Sequence, residues 1–265
     1  MPLRHPRALL CLLGLLLTLA AAEPAAPPTP ALSLWQEGQK AMGEGRTDDA
    51  IAAYERSVKL DPGLARNYLS LAAAHLARGE DERAVPFLAR YVADQPDHLV
   101  VRAHYAELLL RLKRPRAARE QFERFVADAQ DDAALARQHL VHCHSRLMEI
   151  AEGEEDDYGE HLHRGIGLYL LACQGGDLED GGGPSVEGTL FKAIAELTLA
   201  RLERPGEARP CWYLYAAWTC LAQQQPAARW LRSAAAAAPL SDLTPSEQRQ
   251  LQFACRRSRD EGRWK

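Results

Sequence analysis

Apolar and polar positions follow a helical period through most of the chain. Apolar residues recur three or four positions apart in successive segments, and short polar or glycine-containing stretches separate these segments. The pattern predicts paired helices over 31–44 and 47–61, 65–78 and 81–94, and 99–112 and 115–128. Later helices are predicted over 132–152, 158–174 and 209–223. Thr244-Pro245-Ser246-Glu247 is a capping box that begins a last helix ending near Arg257. We therefore predict an all-α protein.

Small and bulky residues repeat along these helices at a constant spacing of 34 positions. A period of this size is typical of stacked helix–turn–helix units. Small residues are needed wherever two helices touch closely, and a bulky residue fills the space beside them. The repeated positions are Gly38, Ala72 and Ala106, then Ala50, Ala84 and Ala118, then Tyr54, Leu88 and Phe122, with Gly45 and Gly79 in turns and Pro62 and Pro96 at unit ends.

These three copies resemble the tetratricopeptide repeat (TPR) family over about residues 31–130. The third copy departs from the family pattern, because Lys113 stands at the turn Gly and Gln130 at the closing Pro. The resemblance implies a right-handed α-α superhelix, which is a TPR-like solenoid of antiparallel helix pairs, and a protein-binding scaffold. The second copy is the most complete, with Tyr68, Leu71, Ala72, Gly79, Ala84, Leu88 and Pro96.

The repeat pattern weakens after residue 130 and returns near the C-terminus. Strict alternation of first and second helices from residue 132 puts helix 209–223 in a second-helix position. The motif residues put the same helix in a first-helix position. Two explanations stay open: a Gly-rich loop absorbs a slip in the order, or helix 132–152 packs outside the ladder. The residues that match the pattern are Ala193, Leu197, Ala200 and Pro205, and then Trp212, Ala216, Ala227, Leu231, Ala234 and Pro239.

The first residues have the form of a secretory signal. Arg4, His5 and Arg7 precede an apolar run over 8–21, and Ala20-Ala21-Ala22 offers a small-x-small cleavage site before Glu23. The apolar run is too short for a comfortable transmembrane helix, which needs about 20 residues, and an uncleaved anchor is the alternative to a cleaved signal. By resemblance to exported TPR proteins of bacteria, we expect the periplasm or cell envelope.

The segments of the chain are predicted as follows. We expect a signal peptide over 1–22, a Pro/Ala-rich tether over 23–30, three TPR-like repeats over 31–130, a degenerate helical pair over 131–174, a Gly-rich acidic loop over 175–186, a helix with one further TPR-like repeat over 187–240, a capping helix over 241–257 and a tail over 258–265.

Charge and cysteine content restrict the function classes. The net charge is −4 and becomes more negative when Arg4 and Arg7 are removed, which argues against nucleic acid as a partner. Export permits disulfides, but the mature chain would keep an odd number of cysteines, so at least one stays unpaired. Burial in helix seams is the simpler interpretation of Cys143, Cys173, Cys211, Cys220 and Cys255.

Two functional hypotheses follow. No P-loop, GxGxxG, HExxH or GxSxG string occurs, so we expect no enzyme and no cofactor. The first hypothesis is a scaffold that binds a partner peptide or helix on the concave face, which the first helices line in TPR arrays. Some of these residues, above all Leu69 and Leu76, could instead belong to the core between repeats. The predicted groove residues are Trp35, Gln39, Met42, Leu69, Ala73, Leu76, Ala103, Glu107 and Leu110.

The second hypothesis is a metal site. His139 and Cys143 are one turn apart on helix 132–152, and His161 and His163 open the next helix. Imidazole and thiolate are the ligands that Zn²⁺ and other transition ions prefer. The alternative is that these are ordinary polar and seam residues at a helix junction.

Overall fold

The computed structural model describes residues 28–129, 136–174 and 185–262, and these residues are all-α. The predicted signal peptide lies outside the described residues. So do residues 23–27 of the predicted tether, 175–184 of the predicted loop and 263–265 of the tail. Residues up to Asn67 and residues from Tyr68 onward form two compact units, which are described separately.

Twelve α-helices and one short 3-10 helix follow one another along the described residues. The first six are α1 (Pro30–Gly43), α2 (Thr47–Leu60), α3 (Ala65–Ala77), α4 (Asp81–Asp94), α5 (Leu99–Arg111) and α6 (Pro115–Ala129). The others are α7 (Ala136–Gly153), α8 (Asp157–Gln174), α9 (Val186–Glu203), α10 (Ala208–Cys220), α11 (Gln224–Ala237), the 3-10 helix Ala238–Leu240 and α12 (Pro245–Asp260). Adjacent helices pack in pairs, so the predicted all-α fold of helix pairs is confirmed. None of these helices is long and apolar enough to cross a membrane.

The first and the last of these helices, α1 and α12, begin with a side-chain cap that the sequence supplies. The Thr29 hydroxyl accepts a hydrogen bond from the Leu32 backbone N–H at 3.2 Å, and Pro30 occupies the first turn of α1. Thr244 and Glu247 form the predicted capping box at the start of α12. These caps satisfy backbone N–H groups that have no partner within the helix.

In the unit that ends at Asn67, α1 packs directly on α2. A Cβ atom at Gly38 would lie 2.6 Å from Cδ1 of Tyr54, so only glycine permits this approach. Tyr54 and Ala50 are fully buried. The Ser57 hydroxyl donates to the Ala31 carbonyl at 2.6 Å and accepts from the Asn67 amide at 2.9 Å. Small residues and buried hydrogen bonds therefore hold this pair together.

The same seam recurs in the unit that begins at Tyr68. In the second pair, the His75 ring stacks on Phe87 with centroids 5.5 Å apart, which joins α3 to α4. In the third pair, α5 packs on α6. The predicted seam positions Ala72, Ala84, Ala106, Ala118 and Phe122 are fully buried, and Leu88 is nearly so. The unit ends Pro62 and Pro96 are exposed.

The turn after each first helix uses a left-handed residue. Gly45 and Gly79 have positive φ, and Lys113 adopts the same conformation with φ 56°. The turn of the third repeat therefore keeps the same backbone conformation without a glycine. A residue with a side chain is less stable in this left-handed conformation by about 1–2 kcal/mol. Glu155 and Ala222 take the same conformation after α7 and α10.

The helix order that the sequence left open is resolved by α8. α7 packs on both α6 and α8, so helix 132–152 does not lie outside the ladder. α8 packs closely on α9 as well, where a Cβ atom at Gly165 would lie 2.7 Å from Cγ of Leu197. α8 is thus the second helix of one pair and the first helix of the next. This double use shifts the alternation by one helix and makes α10 a first helix.

The C-terminal repeat differs from the prediction at one seam position. Ala227, Leu231 and Ala234 are buried as predicted for a second helix. On α10, however, Ala216 is only partly buried, whereas Ala217 is fully buried. Pro239 is exposed after α11, in the 3-10 helix that leads toward α12, and α12 packs on α11.

Candidate functional site

The predicted groove residues of α1 are only partly available at the surface. Trp35 and Met42 are partly buried, and the Arg66 guanidinium lies 5.0 Å from the centroid of the Trp35 ring. Gln39 is exposed, and its side-chain amide donates to the Tyr54 hydroxyl at 2.8 Å. A partner that contacts Trp35 would therefore meet an aromatic ring already covered on one face by a cation.

The predicted groove residues of α3 and α5 divide into three groups. Ala103 is buried at 8% exposure and cannot offer a contact surface. The Glu107 carboxylate accepts hydrogen bonds from α7, at 2.7 Å from His142 Nε2 and 2.9 Å from Arg146 Nε. Leu69, Leu76 and Leu110 are partly buried and Ala73 is exposed, so these four keep surface that a partner could contact.

The structure does not bring the four predicted metal ligands together. His139 packs edge-on against Phe125, and Cys143 is fully buried, where burial raises the pKa of its thiol to about 12. His161 Nδ1 lies 2.7 Å from a carboxylate oxygen of Glu196. No group of three or more possible metal ligands exists among the described residues. The metal hypothesis is corrected accordingly: these side chains bond or pack against different helices.

The second unit instead contains a cavity of about 420 Å³, which sequence reasoning did not predict. Its walls are α6, α7, the start of α8, the turn between α9 and α10, and the start of α12. Apolar side chains contribute part of this lining, and titratable side chains contribute the rest. The principal lining residues are Arg119, Glu123, Val126, His144, Leu147, Asp156, Tyr158, Leu162, His163, Arg204, Glu207, Arg209, Leu243 and Glu247.

Three arginines in this cavity have carboxylate partners. Arg119 lies 3.5 Å from Asp156, and Arg204 lies 3.0 Å from the same carboxylate. Arg209 Nε donates to Glu247 at 3.0 Å. Burial disfavours the charge on Arg209, but the Glu247 carboxylate outweighs this effect and raises the pKa of the guanidinium. Arg119 also lies 2.7 Å from a carboxylate oxygen of Glu154, so three carboxylates balance the three cations of the cavity.

Glu247 connects two of the cavity walls. Its carboxylate is 2% exposed and accepts hydrogen bonds from the Thr244 backbone N–H at 2.8 Å and from Arg209. The Arg209 guanidinium also donates to the Asp242 carbonyl. The predicted capping box therefore has a second role, because its Glu joins α12 to α10.

Two imidazoles face each other in the cavity wall. The Nδ1 atoms of His144 and His163 are 3.0 Å apart, so one ring donates a hydrogen bond and the other accepts it. Burial lowers the pKa of His144 well below its ordinary value. Burial, with smaller effects of Arg209 and Arg119, lowers the pKa of His163 to about 3. Both rings are therefore neutral at neutral pH.

Two carboxylates of the cavity have no such partner. Among the described residues, the side chains of Glu123 and Glu207 make no hydrogen bond and no ion pair. Burial raises the pKa of Glu123, while Arg119 and Arg209 oppose the rise. With the arginines paired and the imidazoles neutral, these two carboxylates and that of Asp242, which also lines the cavity, are the charges that remain available to a ligand.

Fold and cavity together define an α-helical repeat protein with a concave polar site, and comparison with known proteins shows which family its repeats resemble. A family model described as tetratricopeptide repeat matches residues 41–98 and 82–138. This match covers residues 41–138, which are therefore similar to the TPR family, and it confirms the resemblance predicted over 31–130. No curated protein matches the sequence.

Solved structures of other repeat proteins are similar to this chain at low identity. MamA from Desulfovibrio magneticus is 15% identical, with 82% of this chain and 99% of that chain covered and a TM-score of 0.36. A tetratricopeptide repeat protein from Parabacteroides merdae is 15% identical, covers 86% and 85%, and has a TM-score of 0.38. PilW, described as a type IV pilus biogenesis factor, is 17% identical, covers 81% and 80%, and has a TM-score of 0.34. Scores this low carry no argument about function.

Proposed function

We propose that the chain is an exported, non-catalytic scaffold that binds a segment of a partner protein, and that a Lys or Arg side chain of this segment enters the cavity. TPR proteins as a class are interaction scaffolds. The periplasm or cell envelope of a bacterium is the proposed compartment, supported by the basic, apolar and small-residue pattern before Glu23.

The two unpaired carboxylates, Glu123 and Glu207, are the observation that carries this proposal. They come from different walls of the cavity, on α6 and on the turn before α10. A cation in the cavity would be attracted by both carboxylates, in a concave site where charge interactions are less screened than at an open surface. The negative net charge of the whole chain would add attraction for a basic partner.

The apolar part of the cavity suits the same ligand. Val126, Leu147, Leu162 and Leu243 contribute apolar surface beside the carboxylates. Lys and Arg have long aliphatic stems that pack on apolar surface while their charged ends reach polar groups. A cavity of this volume also lies within the range of about 300–1,000 Å³ that is typical of ligand pockets. The partly buried residues Trp35, Leu69, Leu76 and Leu110 remain predicted contacts for apolar side chains of a partner.

Binding of short labelled peptides tests the proposal. Two peptide sets would be identical except that one carries Lys where the other carries Glu, and fluorescence anisotropy would give the dissociation constants. We expect the Lys peptides to bind about tenfold more tightly or better, which corresponds to about 1.4 kcal/mol. In the double variant Glu123→Gln, Glu207→Gln this preference should nearly disappear. A crosslinking pull-down from the native envelope would then identify the partner.

A matched control removes the effect of overall charge. Glu187 and Glu203 are exposed and do not line the cavity, so Glu187→Gln with Glu203→Gln makes the same change in net charge. This control variant should keep the preference for Lys peptides. If both double variants lose it equally, the attraction comes from the whole surface and the cavity is not the site.

A further inference from the structure

Two cysteines meet at the surface of the second unit, apart from the cavity. Cys173 lies in the last turn of α8, and Cys220 is the last residue of α10. Both are exposed, whereas Cys143, Cys211 and Cys255 are buried. The five cysteines therefore divide into an accessible pair and three that are enclosed in the core.

The surrounding packing holds these two thiols together. α8 and α10 contact each other, and Ala172 and Ala217 share a small apolar cluster beside the thiols. The thiols of Cys173 and Cys220 are hydrogen-bonded to each other, and both are hydrogen-bonded to the Tyr169 hydroxyl one turn earlier on α8. Cysteines on different helices at hydrogen-bond distance are close enough for a disulfide to form with small side-chain movements.

Cys220 is the better nucleophile of the accessible pair. The hydrogen bond from Cys173 lowers the pKa of the Cys220 thiol to about 6; partial burial opposes this effect and Tyr169 adds to it. A large fraction of Cys220 is therefore thiolate at neutral pH, and the thiolate is the form that attacks disulfides.

We infer that Cys173 and Cys220 form an intramolecular disulfide that links α8 to α10. The oxidant is a disulfide donor, such as oxidised glutathione or a thiol oxidoreductase of an oxidising compartment. The Cys220 thiolate attacks one donor sulfur, forms a mixed disulfide and releases the first donor thiolate. Cys173 then loses its proton and attacks Cys220 Sγ, which releases the second donor thiolate. Two protein thiols are oxidised, and one donor disulfide is reduced to two thiols.

The cross-link would stabilise the region in which the helix order shifts. It joins the end of α8 to the end of α10 and encloses all of α9. A disulfide stabilises mainly by restricting the unfolded chain, and its effect increases with the length of the closed loop. We expect the oxidised protein to melt roughly 5–10 °C above the reduced protein.

Peptide mapping of the full chain tests the inference. The purified protein would be incubated with oxidised glutathione, blocked with an alkylating agent and digested with trypsin without reduction. The expected product joins the peptide 165–192, which contains Cys173, to the peptide 202–229. Because peptide 202–229 contains Cys211 as well as Cys220, variants must assign the bond: Cys220→Ser should abolish the product and Cys211→Ser should leave it unchanged.

Three outcomes would overturn the inference. These are a stable glutathione adduct on Cys173 or Cys220 without the cross-link, a disulfide between two copies of the chain, or a cross-link that survives in Cys220→Ser. Cys173 and Cys220 are both exposed, so serine variants at these positions should fold normally. The increase in melting temperature on oxidation should also be absent in Cys173→Ser.

Discussion

At the scale of single residues, the cavity wall holds two imidazoles that cannot easily become charged. His144 and His163 share one hydrogen bond between their Nδ1 atoms, and protonation of both rings would place two donors against each other. Arg119 and Arg209 lie near His163 and further disfavour a positive charge. The sequence singled out His163 and left two interpretations open, a metal site or ordinary residues at a helix junction. It could not separate them, because the ligands of a metal site and a buried histidine pair use the same residue types.

The pH dependence of stability should report this pair. Both folded pKa values lie below the unfolded value of about 6.5, so above this pH both states are neutral and the pair has no effect on the pH profile. Below the unfolded pKa, only the unfolded state gains protons. The free energy of unfolding therefore decreases as the pH falls toward the folded pKa values. The neutral His163 ring should lower the free energy of unfolding by about 2 kcal/mol between pH 6.5 and 5, and His144 should act in the same direction. Urea unfolding at pH 7 and pH 5 measures the difference.

The double variant His144→Gln, His163→Gln has no titrating ring and should lose less stability between these pH values. His104 is exposed, and His104→Gln should keep the pH dependence of the wild type. If the double variant shows the same pH dependence as the wild type, the neutral His144–His163 pair is not the cause of that dependence. This comparison does not depend on how stable the variant is at pH 7.

At the scale of helices, α8 has packed neighbours on both sides. Gly165 faces Leu197 of α9 at a distance that excludes a side chain, and Gly167 lies near His144 of α7 with more room. The sequence identified the second-helix pattern around Leu197 but not its partner. The partner glycine is separated from it by residues 175–184, and a spacing argument based on a constant repeat length fails across such an insertion.

Alanine at these two glycines should have opposite effects. In Gly165→Ala the new Cβ would lie 2.7 Å from Leu197 Cγ and 3.1 Å from the Leu197 backbone nitrogen, so we expect a loss of about 1–3 kcal/mol. In Gly167→Ala the nearest atom is His144 Cβ at 3.7 Å, an ordinary contact. This second variant should gain up to about 1 kcal/mol from helix propensity. Thermal unfolding of both variants would measure the effects, and equal changes would contradict the close packing of α8 on α9.

At the scale of the whole molecule, the proposed compartment determines the chemical state of the chain. An oxidising compartment would allow Cys173 and Cys220 to stay cross-linked, whereas cytosolic thiols would keep them reduced. Export would also remove Arg4 and Arg7 and make the mature protein more acidic, which suits a basic partner segment.

Cell fractionation with N-terminal sequencing tests export. We expect the protein in the envelope or periplasmic fraction with Glu23 as its first residue, because Ala20 and Ala22 fit a small-x-small cleavage site. Substituting the central apolar residues Leu15 and Leu16 with Asp should keep the chain in the cytoplasm, while Ala26→Asp beyond the cleavage site should not. Recovery of the chain with Met1 from the cytoplasm of wild-type cells would contradict export.

The sequence by itself determined the helices, their seams and the resemblance to the TPR family. A helical period and a repeat of constant length are local or strictly periodic signals, so Ala72, Ala84 and Ala118 could be placed in seams before any contact was known. The turn at Lys113 could be predicted for the same reason, since the neighbouring copies define it.

Only the tertiary structure decided the functional geometry. The double packing of α8, the cavity between Glu123 and Glu207, and the meeting of Cys173 with Cys220 all join helices that are distant in the sequence. A local sequence period cannot predict contacts between distant helices, because these contacts depend on how many helices lie between them and on the angle at which each helix packs. The double use of α8 shifts the alternation by one helix, and the cavity is lined by arginines, carboxylates and imidazoles from helices on both sides of α8.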